Sequence, residues 1–149
     1  MNLKPGDKAP AFSAPDQNGQ TLTLKYFAGK KLVLYFYPKD DTPGCTAEAC
    51  SLRDNFDELL KQGYAILGVS PDNEKKHQKF IAKYELPFSL LADTDNKVAT
   101  DYGVWVEKSM YGRKYMGIAR TTFVIDEKGN ISEVIEKVET AKHAAQILK

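Results

Sequence analysis

The run Lys31-Leu32-Val33-Leu34-Tyr35-Phe36-Tyr37 is apolar on both parities and is closed by Pro38. A strand with one buried face alternates between apolar and polar residues. A strand that is apolar throughout must be covered on both sides, as in a sheet with parallel neighbours and helices on its faces. Ala28-Gly29-Lys30 makes the turn into this run, and Thr21-Leu22-Thr23-Leu24 before it alternates like a short edge strand.

The rest of the chain fits that requirement. After the loop Lys39-Asp40-Asp41-Thr42-Pro43-Gly44, the spacing predicts a helix from about Cys45 to Lys61. Its apolar face is Ala49, Leu52, Phe56, Leu59 and Leu60, and Gly63 is its stop. Tyr64 to Val69 reads as a second buried strand, and Asp72 or Asn73 caps a helix that runs to about Tyr84 and breaks before Pro87. Phe88 to Ala92 is a third strand, and Asn96 to Tyr102 a short helix ended by Gly103. Thr121 to Asp126 and Ile131 to Val138, joined by Glu127-Lys128-Gly129-Asn130, read as a hairpin, followed by a helix over roughly Ala141 to Leu148. This pattern predicts an α/β fold, a central mixed β-sheet flanked by helices. No repeat or linker interrupts it, so 1–149 reads as a single domain. In such sheets function gathers beyond the carboxyl ends of the strands, and the loop after Tyr37 is such a place.

Composition narrows the function classes. A formal net charge of +1 gives no global field to recruit nucleic acid or an anionic membrane. The segment Met1 to Asp7 lacks the apolar core of a signal peptide, and Leu32 to Tyr37 is too short to cross a bilayer. The expected compartment is the cytoplasm, where thiols are kept reduced. Cys45 and Cys50 are the only cysteines, which makes a structural disulfide the bland alternative. With them, only His77 and His143 are available as nitrogen or sulfur ligands, and neither stands at zinc-site spacing.

Cys45 falls in the first turn of its predicted helix, where unpaired N–H groups and the positive end of the helix dipole favour an anion. The thiolate is the reactive form of cysteine. Pro43 suits a helix opening, and Gly44 lets the backbone approach a ligand closely. A buried inert cysteine remains the alternative at this point. Cys50 lies about 140° around the helix from Cys45, with α-carbons roughly 8–9 Å apart. A disulfide tolerates at most about 7 Å, so the pair cannot bond unless the first turns unwind. The chemistry that suits such a pair is oxidation of one sulfur to a sulfenic acid, followed by condensation with the other.

Pro38-Lys39-Asp40-Asp41-Thr42-Pro43-Gly44-Cys45 resembles the peroxiredoxin signature. Cys45-Thr46-Ala47-Glu48-Ala49-Cys50 with Leu52-Arg53-Asp54 is similar to the bacterioferritin-comigratory-protein (PrxQ) branch. So are Tyr102-Gly103-Val104-Trp105, Tyr111 to Ile118, and Arg120 to Asp126. The resemblance implies a thioredoxin-like fold and a peroxidase acting on hydrogen peroxide and organic hydroperoxides, recycled by thioredoxin or a similar dithiol. It implies no cofactor or metal, and a monomer is the default.

Carried over, Cys45 is the peroxidatic nucleophile and Cys50 the resolving cysteine. Thr42 and the N–H groups of Gly44 and Cys45 face the peroxide, and Arg120 is the charged donor. On local sequence alone simple turn chemistry is the lesser alternative for Thr42, and Arg120 competes with Arg53 and Arg113. Pro38 closes the pocket wall or simply ends its strand. Glu48 orients Arg120 or is a favourable acid in a helix first turn. Trp105 packs near the pocket or at the core rim.

Two other functions stay in view. A thiol–disulfide oxidoreductase of the thioredoxin type carries its cysteines closer together, so the spacing here argues against it. A redox-sensing holdase exposing Ala49, Leu52 and Phe56 on unwinding is required by nothing in the sequence.

Overall fold

The doubly apolar run forms the centre of the structure, a computed structural model that describes residues 3–148. Met1, Asn2 and Lys149, the ends of the expected domain and of its amino-terminal lead-in, lie outside the described residues. The chain runs β1 (Ser13–Pro15), β2 (Thr21–Thr23), β3 (Lys31–Phe36), α1 (Pro43–Asp54), α2 (Phe56–Lys61), β4 (Tyr64–Ser70) and α3 (Glu74–Tyr84). It continues with β5 (Ser89–Ala92), α4 (Lys97–Asp101), β6 (Trp105–Met110), β7 (Arg113–Ile118), β8 (Thr121–Ile125), β9 (Ile131–Ile135) and α5 (His143–Ile147).

The central sheet has the order β5-β4-β3-β8-β9. β3 pairs in parallel with β4 and antiparallel with β8, so the sheet is mixed, with β3 in its middle. Both parities of β3 are buried, on different faces. Leu32, Leu34 and Phe36 join Phe12, Tyr102 and Phe123 in one core layer. Val33, Tyr35 and Tyr37 join Cys45, Ala49, Leu52 and Phe80 in the other. Burying aromatic and branched side chains on both faces removes a large apolar area from water, which fixes β3 as the axis of the fold.

Gly68, opposite Tyr35 across the β3–β4 ladder, is needed for that packing. A β-carbon there would stand 2.6 Å from Leu90 and 2.8 Å from the Tyr35 ring. The missing side chain makes room for the tyrosine beneath the site described below.

Three local expectations change. The single helix over Cys45 to Lys61 is two, broken at Asn55 (φ −115°, ψ 17°). The Asn55 amide donates to Ser51 O at 2.9 Å and competes with the helix for that carbonyl. Leu60, expected on the buried face, is 48% exposed, while Leu59 is buried. The stretch after Val104, to which no element was assigned from pattern, is the β6–β7 hairpin, closed by Tyr111 (φ 53°) and Gly112 (φ 77°). Both central residues at positive φ make the two-residue turn that matches strand twist. The hairpin was hidden because its apolar residues do not alternate toward a core, leaving Met110, Tyr111, Tyr115 and Met116 exposed. The last helix is shorter than expected: a 3₁₀ turn over Thr140–Lys142 precedes α5.

Candidate active site

α1 begins where the loop leaving β3 turns back over the sheet. Thr42 occupies the position before the helix with extended backbone (φ −94°, ψ 156°) and makes no side-chain cap. Its hydroxyl instead donates to Lys39 O at 2.9 Å, which leaves its oxygen free to accept. First-turn N–H groups have no intrahelical acceptor, so those of Gly44 and Cys45 are available to a ligand. Cys45, the third helical residue, is 1% exposed and carries a free thiol.

Arg120 meets this sulfur from the other side, held by the start of β8. Its Nη2–H donates to Cys45 Sγ at 3.3 Å, and its Nη1–H donates to Glu48 Oε1 at 2.7 Å. One planar guanidinium thus spans two acceptors one helical turn apart on α1, which a lysine ammonium could not match. Burial works against the charge of Arg120, but Cys45 and Glu48 together hold its protonation constant above the ordinary value. Glu48 is fully buried, and desolvation pushes its carboxyl up to about 7 against the opposing pull of Arg120.

Gly44 has a role the sequence did not specify. A β-carbon at this position would lie 3.2 Å from Arg120 Nη2, so the glycine admits the guanidinium rather than only a ligand. Lys108 of β6 also approaches: burial, then the charge of Arg120, pushes its ammonium below its ordinary value.

The structure brings Cys45, Arg120, Glu48 and Gly44 together, with Thr42 at the helix entrance and Pro38 half-buried where β3 ends. Arg53 is elsewhere, bonded to Tyr84 O at 2.8 Å and to Asp54, and Arg113 is exposed on β7. Trp105 packs against the core layer of Phe12 and Tyr102. Cys50 is half-buried and free, farther along the same unbroken helix, so the helical separation of the two sulfurs stands until α1 unwinds.

Sequence reasoning missed the layer beneath. The Tyr35 hydroxyl is buried without a hydrogen-bond partner among the described residues, and burial, then Glu48, Asp40 and Cys45, raise its protonation constant well above the ordinary value. His143 reaches the far side of Glu48, and Thr122 in turn meets His143. Asp40, five residues before Cys45, is clamped by Tyr37, His77 and Asp72. These residues are scattered along the chain, and only a preference for polar partners in a core signals them.

Known proteins share this arrangement of chain. Residues 5–134 match the AhpC/TSA family. The chain is 53% identical over 148 residues to the putative peroxiredoxin bcp of Coxiella burnetii, covering 99% of this chain and 98% of that one. It is 48% identical over 146 residues to peroxiredoxin Bcp of Escherichia coli K12, covering 98% and 94%. The bacterioferritin comigratory protein of Xanthomonas campestris superposes with a TM-score of 0.87 at 39% identity, covering 92% of this chain and 87% of that one.

Proposed function

Because this chain belongs to the AhpC/TSA family and is a thiol-dependent peroxidase of the peroxiredoxin Bcp type, we propose that Cys45 is its peroxide-attacking sulfur and Cys50 the thiol that resolves it. The observation that carries this reading is the Arg120 guanidinium lying 3.3 Å from Cys45 Sγ at the amino terminus of α1.

The Cys45 thiolate attacks one oxygen of ROOH; an S–O bond forms, the O–O bond breaks, and the departing oxygen takes a proton to leave as ROH. Negative charge moves from sulfur to that oxygen in the transition state. On this reading Arg120 and the first-turn amides of Gly44 and Cys45 meet that charge, and preorganised donors are the strongest means of stabilising it. Thr42 accepts from the peroxide proton. Glu48 holds the guanidinium in plane, and Pro38 walls the pocket.

The product, Cys45–SOH, is attacked by the Cys50 thiol; an S–S bond forms and water leaves. This step requires unwinding of α1, including the bond from Ala144 N–H to Ser51 Oγ at 3.1 Å that ties α5 to it. A dithiol protein such as thioredoxin then takes the disulfide and returns both thiols. The Xanthomonas campestris relative is described for alkyl peroxide reduction; we extend to this chain hydrogen peroxide and organic hydroperoxides as substrates. We place the enzyme in the cytoplasm as a monomer. No helix among the described residues is long and apolar enough to cross a membrane.

Mass spectrometry after one equivalent of peroxide tests the assignment. The expected result is a Cys45–Cys50 disulfide in the native chain, a sulfenic acid at Cys45 in Cys50→Ser, and no oxidation in Cys45→Ser. Rapid oxidation of Cys45→Ser would reverse the roles.

A further inference from the structure

The entrance to α1 is held from outside the helix, and Asp40 is where the ties converge. Its Oδ1 accepts from the Tyr37 hydroxyl, just after β3, at 2.6 Å. Its Oδ2 stands 2.6 Å from His77 Nδ1 of α3, and its N–H donates to Asp72 Oδ2 at 2.7 Å. The same Asp72 oxygen accepts from the Ser70 hydroxyl at 2.9 Å. Tyr37, Asp40, Ser70, Asp72 and His77 are all buried. A carbonyl oxygen only accepts, so His77 Nε2, 2.8 Å from Leu91 O, carries a proton. One further proton lies between Nδ1 and the Asp40 carboxyl. Whichever atom carries it, the pair is neutral overall, and both Asp40 oxygens have partners.

The first turn of α1 has no such support. Thr42 makes no side-chain cap, because its hydroxyl is spent on Lys39 O. Gly44 stands within the helix, where a glycine favours the unwound chain. The Arg120 contact with Cys45 Sγ draws on the charge of the sulfur, and oxidation to a neutral sulfenic acid removes that charge. Opening the Asp40 network, by contrast, strands several buried polar groups at once, which is the costlier event. The chain parts at its weaker segment.

We propose that Asp40 and His77 are positioning residues that serve as a fixed anchor of the redox cycle: they stay joined while α1 unwinds, confine the unwinding to residues beyond Asp41, and return Cys45 to the same place beside Arg120. The inference rests on the roles given to Cys45 and Cys50 above. When the disulfide is reduced, the helix rewinds from a point that has not moved. Without the anchor, opening of the helix spreads back toward the end of β3.

Amide hydrogen exchange on the full-length chain, read residue by residue by nuclear magnetic resonance, tests this. Reduced protein is compared with protein oxidised by one equivalent of hydrogen peroxide, the Cys45–Cys50 bond being verified by mass in the same sample. In the native chain the amide of Thr46, bonded to Thr42 O when reduced, should exchange at least about tenfold faster in the disulfide form. The amides of Tyr37, Asp40 and His77 should stay within about a factor of two. In His77→Leu the Asp40 amide should lose about tenfold more protection in the disulfide form than in the reduced form, a dependence on redox state that a merely structural role would not produce. His77→Asn, whose amide can donate to Asp40, should restore part of it. Tyr37→Phe deletes a single bond and should show the same dependence at about fivefold, which keeps the test open if His77→Leu does not fold. A native Asp40 amide that accelerates together with Thr46 on disulfide formation overturns the anchor, as do variants whose losses are equal in the two forms. Absence of a Cys45–Cys50 bond after peroxide would instead overturn the reading on which the anchor rests.

Discussion

His77 Nδ1 stands 2.6 Å from Asp40 Oδ2, joining the start of α3 to the loop that carries Thr42 and leads into the Cys45 helix. The same carboxylate accepts from the Tyr37 hydroxyl at 2.6 Å, and the Asp40 N–H donates to Asp72 Oδ2 at 2.7 Å. His77 Nε2–H donates to Leu91 O at 2.8 Å, so the ring spans α3, the loop and β5. Asp41, at φ 59°, adds a more exposed tie to Lys83 and Tyr84. The loop is thus pinned immediately before the helix whose unwinding the proposed cycle requires.

His77→Ala leaves the Asp40 carboxyl buried with one of its partners gone. Breaking a buried pair in this way costs about 3–5 kcal/mol, whereas Tyr37→Phe, which deletes one hydrogen bond, costs about 1 kcal/mol. Urea denaturation of reduced protein should show the two midpoints falling in that order with unchanged slope.

Arg120→Lys keeps the charge but cannot reach Cys45 and Glu48 with two coplanar donors. Loss of one preorganised donor lowers the single-turnover rate by about 10²-fold, on the scale of removing an oxyanion-hole contact. Stopped-flow oxidation at fixed pH measures it; a rate within a factor of two of the native value would remove Arg120 from the reaction.

Gly44→Ala separates activity from stability. The added methyl crowds Arg120 Nη2 at 3.2 Å, so the guanidinium must shift by a few tenths of an ångström. Alanine in a helix is favoured over glycine by about 1 kcal/mol, which offsets the crowding in the thermal midpoint. Peroxide reduction should fall about tenfold or more, since small misplacement of a catalytic group is costly, while the melting temperature stays near native.

Glu48 also makes stability depend on pH. Its carboxyl rises from the ordinary 4.5 to about 7 on folding, so between those values the folded state holds more protons than the unfolded one. Stability from this group therefore falls as pH rises through that window, the reverse of a salt-bridged acid with a lowered constant. At about 1.4 kcal/mol per unit, the loss totals about 3 kcal/mol. His143, pushed down by burial, acts in the opposite sense on the acid side. The comparison that isolates Glu48 is Glu48→Gln against native: the difference in unfolding free energy should move in favour of the glutamine variant from acid to neutral pH.

Local pattern was enough to specify β3 as the covered central strand, because burial on two faces leaves an unbroken apolar run. Helix-start chemistry was enough to place Cys45 in a first turn, since Pro43-Gly44 and the helical spacing that follows are local signals. Spacing along one helix also kept Cys45 and Cys50 apart, because helix geometry depends on nothing distant. The break at Asn55 was not legible, since it rests on one side chain competing for Ser51 O. Nor was the β6–β7 hairpin, whose exposed faces carry no period to read.

Local pattern could not choose Arg120 over two other arginines, and only the family resemblance singled it out; the need for Gly44 beside its guanidinium, and the contacts of Asp40 with His77 and of Glu48 with His143, belong to the tertiary structure alone. A sequence encodes burial and backbone preference through neighbours a few residues apart. The fields that make a sulfur reactive come from charges and protons that the folded sheet brings together from distant positions, and their strength arises only once water is excluded.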